Sequence, residues 1–359
     1  MPQSFLAKTF TSLTHRDYRY LWFGTVFMSA GQWIQQVTLS WLVYDLTGSS
    51  VLLGALNGLR ALPFLVASPI AGVFADRMDR RRLILACECF LTALTLLMGV
   101  LVASGILAVW HLFAFTVLTG IAWACVDPIR QSLVPVLVPK PDLMNAVALN
   151  SAAFNMTKVI GPSVGGLLIV AFGVAGNFFV QAAAYAVVLL FVYRMVAPAT
   201  PAEARRTSPL ANLKEGLGYV WSNPIVFALM TAALVPRVFA MPFQTLMPVF
   251  QKDVLQVGPE GLGMLLAAPG LGALLAGLAL ATLSSRIKRQ GVFMLVSLVL
   301  LGFLMILFSW TTSFPLSLLT LVCQGVFQIF YMATTHTMIQ LIVPDHLRGR
   351  VMSIYALDR

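Results

Sequence analysis

Charge is what this sequence has least of. Asp, Glu, Lys and Arg make up 10% of its 359 residues, where a soluble domain carries about 25%. A chain so poor in charge cannot solvate its own surface in water, which excludes an ordinary soluble fold. Cysteine is scarce too. Cys87, Cys89, Cys125 and Cys323 lie in or beside apolar runs. No pair has zinc-site spacing and nothing suggests a disulfide framework, so they read as small packing residues. Clustered carboxylates of the kind an intramembrane transferase uses for metal and pyrophosphate are missing: Asp76 and Asp79 are the close pair, and they stand among arginines. No His-Glu-x-x-His or Gly-x-Ser-x-Gly occurs, so an enzyme is not expected. The N-terminus lacks a small-residue cleavage site, and its first apolar run is too long for a signal peptide.

What is abundant is apolar material, 59% of the chain. It falls into runs at about 20–44, 51–75, 83–104, 110–130, 144–171, 174–196, 225–249, 261–283, 291–311 and 315–342. Each is long enough to cross ~30 Å of hydrocarbon as a helix. Another apolar stretch begins near Val351, and the sequence ends at Arg359. Ten complete transmembrane helices and the start of an eleventh are expected.

The net charge of +10 does not mark nucleic-acid binding, because the basic residues form no continuous patch. They report topology instead. With the N-terminus inside, the inside segments hold Lys8, Arg16 and Arg19; Arg77, Arg80, Arg81 and Arg82; Arg130 and Lys140; Arg194, Arg205, Arg206 and Lys214; Arg286, Lys288 and Arg289; and Arg348, Arg350 and Arg359. The outside loops hold Lys252. That asymmetry places the N-terminus in the cytoplasm. Arg60, Lys158 and Arg237 fall inside spans, where a charge must face protein or water.

The segment 197–224 starts Ala197-Pro198-Ala199-Thr200-Pro201, a flexible linker. It continues through Leu210, Leu213, Leu217 and Val220 at helical spacing, which predicts an amphipathic helix on the inner membrane face. It divides the chain into a six-helix half over 1–196 and a second half over 225–359. The halves resemble repeats. Arg77-Met78-Asp79-Arg80 after the second span is echoed by Arg286-Ile287-Lys288-Arg289 after the eighth, and Val138-Pro139 after the fourth by Val343-Pro344 after the tenth. Such landmarks point to duplication of a six-helix unit in parallel orientation.

The loop after the second span reads Gly72-Val73-Phe74-Ala75-Asp76-Arg77-Met78-Asp79-Arg80-Arg81-Arg82. It resembles the Gly-x-x-x-Asp-Arg-x-Gly-Arg-Arg/Lys motif of the major facilitator superfamily, with Asp79 where that pattern has glycine. Gly161-Pro162-Ser163-Val164-Gly165-Gly166 in the fifth span is similar to a signature of its export-type members. Together with Leu213-Lys214-Glu215-Gly216-Leu217 and Leu347-Arg348-Gly349-Arg350-Val351, these motifs resemble the subfamily of the enterobactin exporter and macrolide efflux proteins.

The resemblance implies an all-α membrane protein of the major facilitator type: twelve helices in two six-helix halves around a central cavity. This sequence is then expected to stop within the eleventh. Gly72, Asp76, Arg77, Arg80 and Arg81 would form a cytoplasmic latch. Gly161, Pro162, Gly165 and Gly166 would bend and pack the fifth helix as a gate. Spans 1, 4, 7 and 10, which line the cavity in the family, carry polar residues three or four apart. Among them Gln32, Gln36, Thr119, Trp123, Arg237, Met241, Gln244, Gln324, Gln328 and Tyr331 are the expected cavity residues. Interhelical hydrogen bonding is the plainer explanation for such stripes, at ~0.6 kcal/mol per pair. Asp127, Glu88 and His336 are the candidates for proton coupling. The implied activity is proton-coupled export of a small amphiphilic compound by alternating access, with uptake as the alternative. A small-molecule substrate, membrane lipid and protons are the expected partners of a monomer in the inner membrane. No cofactor and no metal site are expected.

Overall fold

The computed structural model describes residues 10–60, 62–63, 79–196, 217–239, 242–283, 289–344, 347, 351 and 355. Every regular element among them is helical. Helix α1 spans Arg16–Thr47 and closes on Gly48, whose φ of 60° is left-handed and whose N–H returns to the Tyr44 carbonyl. Helix α2 is described over 50–60. Helix α3 (Arg80–Ala103) starts from Asp79, and α4 covers Val109–Leu137. Helix α5 runs from Leu143 to Arg194, 52 residues, far more than the ~20 that one crossing needs. Its helical torsions break at Gly173 (φ 70°, ψ 177°), a conformation open to glycine alone. The break falls between the fifth and sixth spans expected from sequence. Pro162, the expected bend, sits within the helical stretch.

The seventh span is more interrupted than its hydropathy predicts. Helix α6 (Pro224–Phe239) is followed by short pieces at Pro242–Thr245 and Met247–Val249 and a π-turn at Phe250–Val254. Pro236, Pro242 and Pro248 each remove a backbone donor from this stretch, which explains its failure to run as one helix. Helices α7 (Pro259–Leu283), α8 (Gln290–Trp310) and α9 (Phe314–Ile342) complete the described chain. Six helical stretches among the described residues are long and apolar enough to cross a membrane. The amphipathic segment is described from residue 217, where one helical turn buries Val220 and exposes Leu217.

These elements fall into two compact units. One comprises Met1–Thr200 with Pro248–Ala267, and the other Pro201–Met247 with Ala268–Arg359. In the first, Tyr18, Leu21, Ile84, Leu91, Trp123, Ile129 and Tyr185 bring α1, α3, α4 and α5 onto one core. In the second, Val226, Leu229, Met294, Tyr331 and Ile339 join α6, α8 and α9. The large apolar side chains left outside are informative. Leu96, Leu97 and Val100 on α3 and Leu295, Val299 and Phe303 on α8 are exposed in rows. Rows of that size on a helix are unfavourable in water and suited to lipid.

Candidate functional site

The polar residues of the first unit are drawn together between α1, α3, α4 and α5. Arg130 of α4 is buried, and one Nη donates to both the Leu21 carbonyl and the Thr25 hydroxyl of α1, each at 2.9 Å. Its other Nη lies 3.5 Å from the Glu88 carboxylate of α3, which has no solvent exposure. This corrects the sequence reading, which counted Arg130 among the loop charges. One side chain thus ties three helices through charge. Asp127, one turn before Arg130, is half-buried.

Above this pair lies a chain of neutral contacts. Gln35 donates to Thr119 Oγ1 at 3.3 Å, and the Tyr185 hydroxyl meets Gln35 Oε1 at 3.5 Å. Asn177 donates to the Thr38 hydroxyl at 2.7 Å and to the Gly165 carbonyl at 3.2 Å. Thr119 and Trp123, expected in the cavity, are almost wholly buried here. The Arg60 guanidinium of α2 stands 5.4 Å from the centre of a Trp123 ring. Beside it, Gln36, Leu39, Ser40, Leu56, Asn57, Arg60 and Thr116 line a cleft. Gln32 is half-buried on the same helix as Gln36.

The Gly161–Gly166 segment is a close-packing surface on two sides. A Cβ on Gly161 would come within 2.6 Å of Trp33 Cβ on α1, and one on Gly165 within 3.3 Å of Ile34 Cα. The opposite side meets the start of α7. A Cβ on Gly166 would stand 2.6 Å from the Pro259 carbonyl, and one on Gly263 would stand 2.7 Å from the Pro162 carbonyl. The backbone of this segment therefore lies close to both α1 and the start of α7.

Of the latch residues, Gly72, Asp76 and Arg77 lie outside the described residues. Arg80 opens α3. Arg81 donates to the carbonyls of Val192, at 3.1 Å, and Tyr193 at the end of α5, and it lies over the Tyr193 ring. The departure at Asp79 has a local explanation. Its backbone is extended (φ −60°, ψ 115°), so glycine is not required, and its carboxylate accepts the Arg82 N–H at 3.1 Å as the N-cap of α3.

In the second unit, Gln324 and Tyr331 of α9 are buried and Gln328 is half-buried. Gln244 is half-buried in its short helical piece. The His336 ring packs 5.7 Å from Tyr355. Arg237 falls on α6, but its side chain, like the whole of Met241, lies outside what the structure describes.

Sequence reasoning missed Arg130, Gln35, Asn177 and Tyr185 as members of the buried network. A signal existed for the first. Trp123, Asp127 and Arg130 are spaced four and three apart, so they share one face of a helix.

The chain matches the family described as transmembrane secretion effector over residues 7–358. It is 29% identical to the multidrug efflux pump Tap of Mycolicibacterium fortuitum, with 92% of this chain and 83% of that protein aligned. It is 26% identical to the staphyloferrin A transporter of Staphylococcus aureus, over 95% of this chain and 85% of that one. Macrolide efflux protein A of Streptococcus pyogenes is 22% identical, over 93% and 83%. Among solved structures, the fold resembles a bacterial homologue of the human lysosomal transporter Spinster in an inward-facing, unoccupied conformation. That match has a TM-score of 0.74 at 18% identity, over 95% of this chain and 79% of that one. A D-xylose–proton symporter gives a TM-score of 0.72 at 12% identity, over 95% and 86%. The chain belongs to the transmembrane secretion effector family and is a multi-pass transporter of the major facilitator type rather than an enzyme.

Proposed function

We propose that the protein exports a small amphiphilic compound by alternating access, driven by proton antiport, from a cytoplasmic membrane in which its N-terminus faces inside. The observation that carries this reading is the polar seam through the apolar first unit. Gln35 on α1 bonds to Thr119 on α4, and Gln36, Asn57, Arg60 and Thr116 line a cleft beside it. A bundle needing only stability has little use for a guanidinium and carboxamides at membrane depth, since each is costly to desolvate. A path for a partly polar solute does. Export is favoured over uptake because relatives aligned over more than nine-tenths of this chain are named as efflux pumps. The break at Gly173 fits a plan of ten spans and the start of an eleventh in two repeated halves, 1–196 and 225–359, joined by 197–224. Glu88 and Asp127 supply carboxylates for the coupling proton, and the Gly161–Gly166 surface lets α5 move against its neighbours.

The test is retention of amphiphilic dyes, macrolides and siderophores by cells lacking their main efflux systems. Expression of the protein is expected to lower retention of one class, and a proton uncoupler to reverse it. Raised accumulation instead would mean uptake, and an unmoved panel with protein in the membrane would overturn the export reading.

A further inference from the structure

Two cations are set into the same bundle with opposite surroundings. Arg130 has the Glu88 carboxylate at 3.5 Å and two further acceptors on α1. Arg60 has no ion pair among the described residues. Its guanidinium carbon stands 5.4 Å from the centre of a Trp123 ring, and among the described residues Gln36, Ser40, Asn57 and Thr116 line the cleft with it. Stacking on an aromatic uses the flat face of a guanidinium and leaves its rim of N–H groups available for a planar, two-oxygen acceptor.

The neighbours have the complementary polarity. The Asn57 amide donates one N–H to the Leu53 carbonyl at 3.0 Å, which leaves its second N–H. Gln36 brings another carboxamide and Ser40 a hydroxyl. Thr116 already donates to the Leu112 carbonyl at 2.8 Å, so toward a ligand it is an acceptor. With the Arg60 charge beside them, the N–H and O–H groups of Gln36, Ser40 and Asn57 favour an anionic acceptor such as a carboxylate over a cation. The enclosed space of the cleft is only about 10 Å³, far below the ~300–1,000 Å³ that a whole drug-sized ligand occupies. It admits a small end group at most, and the remainder of any ligand lies outside it.

We infer that the cleft between α1, α2 and α4 receives a carboxylate group of the transported compound, held by Arg60 with Gln36, Ser40 and Asn57. The inference deepens the transport reading above by assigning the substrate a negative head, and it rests on that reading. A lipid phosphate presents similar oxygens, so the test separates the two sources.

The purified full chain in phosphatidylcholine nanodiscs is dialysed against 4-tert-butylbenzoate and, separately, its uncharged analogue 4-tert-butylbenzamide, with empty discs subtracted. The acid is expected to bind about tenfold more tightly than the amide, the size of one charge-assisted hydrogen-bonded contact. Arg60→Gln is expected to remove that preference, Arg60→Lys to keep part of it, and Gln36→Leu to weaken the acid alone. Lys140→Gln, an exposed cation between α4 and α5, is expected to leave the preference unchanged. Equal binding of acid and amide by the native protein would overturn the proposal. So would a preference that survives in Arg60→Gln, or acid binding abolished when phosphatidylglycerol replaces the neutral lipid, which would assign the cleft to a headgroup. Dialysis does not depend on transport. A preference without any efflux in cells would sink the export reading and leave the binding site standing, and efflux without a preference would do the reverse.

Discussion

Glu88 and Arg130 face each other across α3 and α4 at 3.5 Å, both out of reach of solvent, and the same guanidinium grips the Leu21 carbonyl of α1 at 2.9 Å. The pair is a three-helix junction, and its value depends on both partners being present. Breaking a buried pair by deleting one member costs about 3–5 kcal/mol, because the other charge is left uncompensated. Arg130→Gln is therefore expected to lower the thermal midpoint in detergent sharply, and Glu88→Gln somewhat less, since Arg130 keeps its acceptors on α1. The double variant should recover part of the loss. Equal midpoints for the native protein and Arg130→Gln would show that the junction is idle.

The glycine surfaces predict a graded series. Gly166→Ala would press a methyl against the Pro259 carbonyl at 2.6 Å, a backbone atom that cannot swing aside. Gly166→Val should be worse still, losing folded protein or transport. Gly277 on α7 has open space where a Cβ would stand, so Gly277→Ala should be neutral or stabilise by roughly 0.5–1 kcal/mol through helix propensity. Expression level and midpoint of the three variants check this. Similar behaviour at Gly166 and Gly277 would refute it.

At the start of α3, Asp79→Ala should cost about 1 kcal/mol through loss of the N-cap, and Asp79→Asn much less, because an amide oxygen accepts the same Arg82 N–H. Asp79→Gly, which restores the common motif, is expected to cost only a few tenths. Limited proteolysis in the loop before α3 is the readout, with faster cleavage expected for alanine.

Near the other end of α1, Asp45 pairs with Lys252 of the π-turn at 2.8 Å, and the Tyr44 hydroxyl donates to Asp253. Both members of the ion pair are two-fifths or more exposed, so the contact is worth under about 1 kcal/mol and should fade with salt. Lys252→Asp should lower stability slightly at low ionic strength, and adding Asp45→Lys should restore it. A double variant no better than either single one would count against the pairing.

The sequence announces most of the helices because membrane depth forces runs of twenty apolar residues, and such runs are hard to miss. It announces less where proline intervenes. The stretch from Ile225 to Val249 has the hydropathy of one span, but its prolines, at 236, 242 and 248, divide it, and hydropathy does not register a missing N–H. The site was legible by residue type and misread by partner. Glu88 stood out as a carboxylate in an apolar run, whereas Arg130, at an apolar run's edge, looked like one more topology charge. Only packing reveals that it turns inward to α1. Gln35 was passed over for Gln32 and Gln36 because one helix face was followed, and α1 presents polar groups to more than one neighbour.

The meeting of Gly166 with Gly263 has a mechanical consequence. Where side chains interdigitate, sliding one helix along another requires each tooth to change rotamer, and every change is a small barrier. Here the nearest atoms across the contact are backbone, Cα against Cα and carbonyl, and the two glycines bring no rotamers to rearrange. Such a contact acts as a plain bearing: it holds through proximity yet offers little resistance to shear. Adding even one methyl would convert the bearing into a ratchet.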